Sequence, residues 1–200
     1  MSVQQAKIDY ITKVAADLFL RDGIAAVTIK DVSMAAGVGE ATLFRYFSTK
    51  QNLAMRAAGL MADEIHATYF DLSRADTGLG KLEAFYGNFL RIYLERPAYY
   101  RFIFEFDATQ EVKGETKEYE DTLLPYMQDY LDAYRLGRFD GTVAEIADVS
   151  LFYLTTTHAL MGLCKKLTMD QFVLSQDKDG RREVETLIDL IIFRLKNLCV

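Results

Sequence analysis

Apolar residues recur at every third or fourth position along most of the chain, a spacing that predicts amphipathic α-helices. Two prolines and a few polar or glycine-containing segments interrupt this pattern. In the first periodic stretch the apolar face consists of Ile8, Ile11, Val14, Ala15, Leu18 and Phe19. We therefore predict an all-α fold of roughly nine helices. Their expected ranges are 4–21, 29–36, 40–47, 50–72, 81–95, 97–106, 116–136, 142–166 and 182–198.

Several helix ends carry residues that favour capping. Thr28 precedes the second helix and Asp31 follows three positions later, which is the spacing of a capping box. Ser48 or Thr49 is expected to cap the fourth helix. Pro125 lies inside the seventh helix and is expected to kink it. Loops are predicted over residues 74–80, 107–115, 137–141 and 175–180.

The second and third helices are short and are separated by Gly37, which can adopt the left-handed conformation that a tight turn requires. Small apolar residues, Val32 and Ala36, mark the inner face of the second helix. Leu43 and Phe47 mark the inner face of the third. Two short helices joined by a glycine turn are typical of a helix-turn-helix motif.

Composition adds a cellular location to this picture. Half of the 200 residues are hydrophobic, yet no apolar run approaches the roughly 18 residues of a membrane span. The first residues lack the basic start and apolar block of a secretory signal. Cys164 and Cys199 are not spaced as metal ligands, and free thiols indicate a reducing compartment. We expect a cytoplasmic protein that does not contact a membrane.

The formal net charge of -6 is unevenly distributed. Residues 1–56 carry +2 and residues 57–200 carry -8. This asymmetry favours an N-terminal part that meets phosphates and an acidic part that does not.

The helix-turn-helix segment resembles the DNA-binding region of the TetR family of transcriptional regulators. The residues that match the family pattern are Asp31, Val32, Ala36, Gly37, Val38, Thr42, Leu43, Phe44, Tyr46, Phe47 and Lys50. The resemblance implies a three-helix DNA-binding domain over residues 1–48 and a helical effector-binding and dimerisation domain over residues 49–200. The alternative is a helical hairpin that merely packs, but exposed Thr42, Arg45, Tyr46 and Lys50 would then have no purpose.

The resemblance also assigns candidate DNA contacts. Thr28, Thr42, Tyr46 and Lys50 occupy positions where the family contacts phosphates, and their donor groups suit phosphate oxygens. Lys30 is a further candidate for a phosphate contact. The positions nearest the bases are Gly39, Glu40, Ala41 and Arg45. Arg45 is the best candidate for reading guanine, which an arginine can contact with two hydrogen bonds.

Three residues in this segment depart from the family pattern. Gly39 replaces a serine, and Phe44 replaces a tyrosine that would offer a phosphate hydrogen bond. Glu40 either accepts a hydrogen bond from cytosine or simply stabilises the start of its helix. The expected operator sequence therefore stays open.

The last two long helices carry apolar faces that suit either an intrachain core or an interface between two copies. The resemblance implies a four-helix dimer interface, which would place two recognition helices in successive major grooves. The residues predicted for it are Ile146, Ser150, Leu154, Thr157 and Met161 on the eighth helix and Val184, Leu187, Ile188, Ile191 and Leu195 on the ninth.

Helices four to seven are rich in aromatic residues, most of which are expected to be core. An apolar pocket with a few polar groups is also what a small-molecule site requires, and the resemblance places an effector pocket here. Its candidate residues are His66, Phe89, Tyr93, Phe102, Phe106, Tyr126, Phe152 and His158. Each histidine has an alternative reading as a partly exposed or internally bonded residue. Glu105 and Asp107 either favour a cationic ligand or are solvated at a helix end.

These features predict a ligand-responsive transcriptional regulator. It would bind a palindromic operator in double-stranded DNA as a homodimer, act as a repressor, and be released by a small-molecule effector. The alternative is a helical dimer with a protein-interaction or structural role and degenerate DNA binding. No enzyme motif, cofactor motif or metal-ligand cluster occurs in the sequence, so we expect neither catalysis nor a cofactor or metal.

Overall fold

The computed structural model describes residues 2–109, 117–169 and 180–196. In these ranges the chain forms nine α-helices and no β-strand, which confirms the predicted all-α fold. The helices are α1 (Val3–Asp22), α2 (Ile29–Ala36), α3 (Glu40–Phe47), α4 (Lys50–Tyr69), α5 (Gly78–Glu95), α6 (Pro97–Thr109), α7 (Lys117–Phe139), α8 (Val149–Thr168) and α9 (Arg181–Leu195). None of these helices combines the length and apolar character that crossing a membrane requires.

The described residues group into two compact units. The first unit consists of those in Met1–Glu64 and Arg101–Leu123, and the second of those in Ile65–Tyr100 and Leu124–Val200. The division into compact units therefore differs from the predicted division into functional domains, which lies between residues 48 and 49. Three helices, α4, α6 and α7, each contribute residues to both units.

The core of the first unit is built from the inner faces of α1, α2 and α3 together with residues of α6. Phe19 of α1 stacks on Phe102 of α6, with ring centroids 6.3 Å apart, and Phe102 stacks in turn on Phe106 at 6.0 Å. The buried apolar residues of the three N-terminal helices are Ile11, Ala15, Ala16, Phe19, Val32, Ala36, Leu43 and Phe47.

The second unit has an aromatic core around α5, which packs against α8 and α9. Phe85, Tyr86, Tyr100 and Tyr130 are all fully buried. Thr77 caps α5 by accepting a hydrogen bond from the Gly80 backbone N–H at 3.1 Å. Tyrosines dominate this core, so it contains hydroxyl groups that must find hydrogen-bond partners within it.

The start of α8 corrects the sequence prediction. The helix begins at Val149, seven residues later than expected, and Asp148 caps it by accepting from the Leu151 backbone N–H. The residues before α8 are not helical, and among them Val143 forms an isolated β-bridge with Lys196, just after α9. Ile146 therefore lies before α8 and not on its face.

The other helix ends deviate by a few residues. Helices α2 and α3 match their predicted ranges, whereas α4 ends at Tyr69 and α5 begins at Gly78, each three residues earlier than expected. Pro125 is accommodated inside α7, which continues to Phe139. Most of the predicted loops at 107–115 and 175–180 and the last predicted residues of the ninth helix lie outside the described residues.

Candidate nucleic-acid interface

The start of α2 is held by the predicted capping box. The Thr28 hydroxyl accepts from the Asp31 backbone N–H at 3.1 Å, and the Asp31 carboxylate accepts from the Thr28 backbone N–H at 2.8 Å. The Thr28 hydroxyl also donates to Asp31 at 2.6 Å, and these bonds lower the pKa of that carboxyl. Because its single proton is already engaged, the Thr28 hydroxyl would contact a phosphate only by exchanging that bond.

The turn between α2 and α3 depends on Gly37. Its backbone is left-handed, with φ of 64° and ψ of 33°, and its N–H bonds to the end of α2. The Val38 N–H donates to the Ser33 carbonyl at 3.0 Å, which completes the turn. Gly39 precedes α3 in an extended conformation and offers no side-chain cap. These local bonds fix the angle at which α3 leaves α2.

Helix α3 divides cleanly into a buried and an exposed face. Leu43 and Phe47 are 1% and 3% exposed and anchor the helix in the first unit. Thr42 and Tyr46 are half-buried. The exposed residues at the predicted base-facing positions and beside them are Gly39, Glu40, Ala41, Phe44 and Arg45. The predicted contacts on this helix are therefore all exposed or half-buried.

Arg45 and Tyr46 form a pair on the outer surface of α3. The Arg45 guanidinium lies 4.9 Å from the centre of the Tyr46 ring and donates to the Tyr46 hydroxyl at 3.2 Å. A planar cation stacked on an aromatic ring keeps several N–H donors free for another acceptor. The pair is thus suited to an oxygen-rich surface such as a base edge or a phosphate.

Glu40 and Phe44 are the unusual members of the exposed face. Glu40 stands in the first turn of α3, where a carboxylate stabilises the positive end of the helix dipole. Phe44 is 51% exposed, so a large apolar ring faces outward where the tyrosine of the family pattern would offer a phosphate hydrogen bond. An apolar ring at this position suits a thymine methyl group better than a phosphate.

Lys50 lies at the start of α4, which Thr49 caps by accepting from the Asn52 backbone N–H at 3.1 Å. The Lys50 ammonium is 3.5 Å from the Ala25 carbonyl oxygen and is half-buried. Its pKa is lowered mainly because burial disfavours the charged form. Lys50 therefore helps to hold the segment after α1, in addition to its expected phosphate contact. Lys30 is exposed on α2.

Two residues of α6 that the sequence did not single out for this role fix the same segment. The Glu105 carboxylate accepts from the Ile24 backbone N–H at 2.5 Å and the Ala25 N–H at 3.4 Å. One helical turn earlier, Arg101 donates to the Leu20 carbonyl at 2.5 Å, near the end of α1. Glu105 is therefore neither simply solvated nor free for a cationic ligand. An Arg and a Glu four residues apart on one helix were the available signal, but their partners lie about 80 positions away in sequence.

The predicted effector-pocket residues do not gather around one cavity. A cavity of about 610 Å³ in the second unit is lined by His66, Phe70, Asp129 and Ala133, among others, and His66 is the single predicted residue that lines it. The His66 Nε2 atom is 2.7 Å from Asp129, so this histidine is internally bonded. The described residues contain no group of three or more His, Cys, Asp or Glu side chains arranged to hold a metal.

Three of the remaining effector candidates lie away from this cavity. Phe102 and Phe106 belong to the core of the first unit, where they pack with Phe19. His158 is exposed on α8 and does not line the cavity. Phe89, Tyr93, Tyr126 and Phe152 remain in the second unit, and Phe89 and Tyr126 both contact Phe70.

The predicted dimer residues also divide between core and surface. Val184, Ile191, Leu195 and Thr157 are buried within the protomer, which corrects their assignment to an interface. The predicted helical period marks mainly the face of α9 that packs within the protomer. Ser150 and Leu154 are exposed, and Met161, Leu187 and Ile188 are half-buried. The large apolar side chains that α8 and α9 leave exposed are Leu151, Leu154, Leu190 and Phe193.

Comparisons with known proteins agree with this architecture. Residues 11–57 match the family model described as bacterial regulatory proteins, tetR family. A TetR transcriptional regulator from Rhodococcus sp. RHA1 is similar, with 19% identity, a TM-score of 0.69 and coverage of 98% of this chain and 100% of that chain. A TetR-family regulator from Agrobacterium tumefaciens has 16% identity and a TM-score of 0.69, with coverage of 96% of this chain and 99% of that chain. The ketosteroid transcriptional regulator KstR2 of Mycobacterium tuberculosis has 15% identity and a TM-score of 0.59, with coverage of 95% of each chain. At these identities the solved structures establish the fold.

Proposed function

Because the chain has the N-terminal segment of the tetR family of bacterial regulatory proteins and the TetR-family fold, we propose that it is a transcriptional regulator that binds operator DNA as a homodimer. The observation that carries this proposal is the outer surface of α3. A short helix anchored by Leu43 and Phe47 presents Arg45 and Phe44 to solvent, with the half-buried Tyr46 beside Arg45. A helix with such a surface fits the major groove, where base edges are distinguishable.

In the proposed complex, base reading and positioning fall to different side chains. Arg45 reads guanine through two hydrogen bonds, and Phe44 packs on a thymine methyl group. Tyr46, Thr42, Lys30 and Lys50 position the helix through phosphates. The first 56 residues carry a net charge of +2, although the whole chain carries -6. Their positive field would attract DNA phosphates to this part of the protein.

A dimer follows from the apolar surface of the second unit. Helices α8 and α9 pack against each other, and together they expose Leu151, Leu154, Leu190 and Phe193. Leu190 and Phe193 are 63% and 64% exposed, which is costly for large apolar side chains in water. In a two-fold dimer, this surface of one protomer would be covered by the same surface of its partner. The dimer would then present two recognition helices to a palindromic site.

The proposed regulation is release from DNA when a small molecule binds the second unit. A ligand that prefers a conformer with unmatched recognition helices would shift the population away from the operator. Helices α4, α6 and α7 run through both units, so they are the elements through which such a shift would act. Repression released by an effector is the proposed mode of control.

The test is a fluorescence anisotropy titration of Arg45→Ala on a duplex that the wild-type protein enriches from a random DNA pool. We expect the variant to bind this duplex about 1–3 kcal/mol more weakly and to tolerate any base at one position in each half-site. Arg45→Lys is the matched control, because it keeps the charge but loses the paired hydrogen bonds. We expect it to retain binding to random DNA while losing the base preference.

Equal losses on the enriched and the random duplex would show that Arg45 contacts phosphate and does not read a base. Failure of the wild-type protein to enrich any sequence would favour a helical dimer with a different partner.

A further inference from the structure

A second cavity lies in the first unit, and the proposed function makes no use of it. Its volume is about 640 Å³, within the range of small-molecule sites. Residues of α1, the end of α3, α4 and the start of α7 line it, and all of them belong to the first unit. It shares no lining residue with the cavity around His66 in the second unit. The two cavities are therefore separate candidate sites.

The Thr12 hydroxyl is a buried polar group on the wall of this cavity. Thr12 lies on α1, is 6% exposed and lines the cavity. Among the described residues this hydroxyl has no hydrogen-bond partner. Buried hydroxyls are almost always hydrogen-bonded, to the protein or to a molecule beside it. Whatever fills the cavity must therefore supply the bond to Thr12.

The other polar side chains around the cavity combine acceptors with donors. Asp9 and Asp63 carry exposed carboxylates, which only accept, whereas the half-buried Arg56 carries a guanidinium, which only donates. Ser48 and Asn52 add a hydroxyl and an amide, which do both. A charged ligand of either sign meets a like charge in this lining. A neutral ligand with several hydroxyls matches it, because each hydroxyl donates one bond and accepts others.

Two tyrosines give the cavity flat apolar walls. Tyr46, at the end of α3, packs against Phe47 with ring centroids 6.4 Å apart, and Tyr119 of α7 packs against Phe106 at 5.2 Å. Burial raises the pKa of Tyr119 to about 12, so its phenol keeps its proton. A tyrosine presents an apolar ring face and a polar tip. Such a ring packs on the C–H face of a sugar, while the sugar hydroxyls bond to polar groups around it.

We propose that this cavity binds a neutral, polyhydroxylated ring molecule, a sugar of one or two rings, and that the Thr12 hydroxyl bonds to one of its hydroxyls. The carboxylates of Asp9 and Asp63 accept from other hydroxyls of the same molecule. This site goes beyond the proposed function, which places ligand binding in the second unit.

The experiment measures binding to the full chain by saturation-transfer NMR titration in neutral buffer without DNA. Glucose, galactose, mannose and maltose are the neutral probes, and glucosamine and glucuronic acid are charged probes with the ring of glucose. We expect one or more neutral probes to bind at least about fivefold more tightly than either charged probe, because each charged probe meets a like charge.

Thr12→Val removes the hydroxyl and keeps the shape of the side chain. We expect it to weaken binding of the preferred sugar about three- to tenfold, the worth of one hydrogen bond. It should not lower the melting temperature, because no bond within the described residues is lost. Asp63→Asn is a second variant at an exposed position of the same cavity, and it should also weaken binding.

The matched control is Thr109→Val in the same unit. The Thr109 hydroxyl donates to the Phe106 carbonyl at 3.0 Å and does not line the cavity, so this variant should bind the sugar as the wild type does. The inference is overturned if no neutral probe binds, if a charged probe binds most tightly, or if Thr12→Val and Asp63→Asn both bind like the wild type. Enrichment of a duplex by the wild-type protein without sugar tests the proposed function separately.

Discussion

Replacing Gly78 by alanine is expected to destabilise the protein by about 3 kcal/mol, the upper end of the usual cost of overpacking. A methyl group on Gly78 would overlap the backbone of Gly137 and lie 2.6 Å from the Ala133 carbonyl oxygen. These obstacles are backbone atoms of α7, so no side-chain rotation relieves the overlap. The Gly78 N–H also donates to the Asp140 carboxylate at 2.7 Å, which holds the start of α5 against the end of α7.

The measurement is urea unfolding followed by circular dichroism, with Gly87→Ala as the matched control. Gly87 lies on the same helix, and a methyl group there would meet nothing within 4 Å. This control should be more stable than the wild type by about 0.5–1 kcal/mol, since alanine restricts the unfolded chain and favours helix. Similar midpoints for the two variants would mean that α5 and α7 do not approach each other through these glycines.

Leu190→Arg is expected to convert the proposed dimer into monomers and to weaken the proposed operator binding by about a thousandfold. Leu190 is 63% exposed on α9, beside the exposed Phe193. In a two-fold interface on this surface the substitution would bury one unpaired cation from each protomer, at a cost of about 3–5 kcal/mol. A monomer reads one half-site and loses the gain from linking two recognition helices.

Sedimentation velocity and anisotropy on the enriched duplex measure these two effects together. Leu124→Arg is the control, because Leu124 is an exposed leucine on α7 and should tolerate the same change. The unfolding midpoint of Leu190→Arg, extrapolated to low protein concentration, should match the wild type. If the Leu190→Arg variant stays dimeric, the dimer interface lies on a surface that does not include Leu190.

The parts of the structure that were predictable from sequence are those with local causes. Helices α2 and α3 match at both ends because Thr28, Asp31 and Gly37 supply the cap and the turn within the segment itself. The outward face of α3 followed from helical periodicity, with Leu43 and Phe47 turned inward. Such signals depend on residues a few positions apart.

The sequence predictions are wrong where contacts between residues distant in the chain determine the local structure. Helix α8 starts later than predicted, after a segment in which Val143 pairs with Lys196, and no local signal reveals that bridge. Glu105 looked like a solvated carboxylate, yet its partner is the Ile24 backbone N–H, 81 positions earlier. Apolar periodicity cannot distinguish a protomer core from a dimer interface, so it does not reveal that Val184 is buried within the protomer.

The most direct test of recognition by α3 is selection of duplexes from a random DNA pool by the full-length wild-type protein, followed by footprinting and measurement of stoichiometry. The predicted result is an inverted repeat with half-site centres about 10 base pairs or a small multiple apart, bound by protomers in even number. It should contain at least one guanine per half-site that Arg45→Ala no longer requires. Recovery of no sequence above the random pool would contradict DNA recognition by this helix.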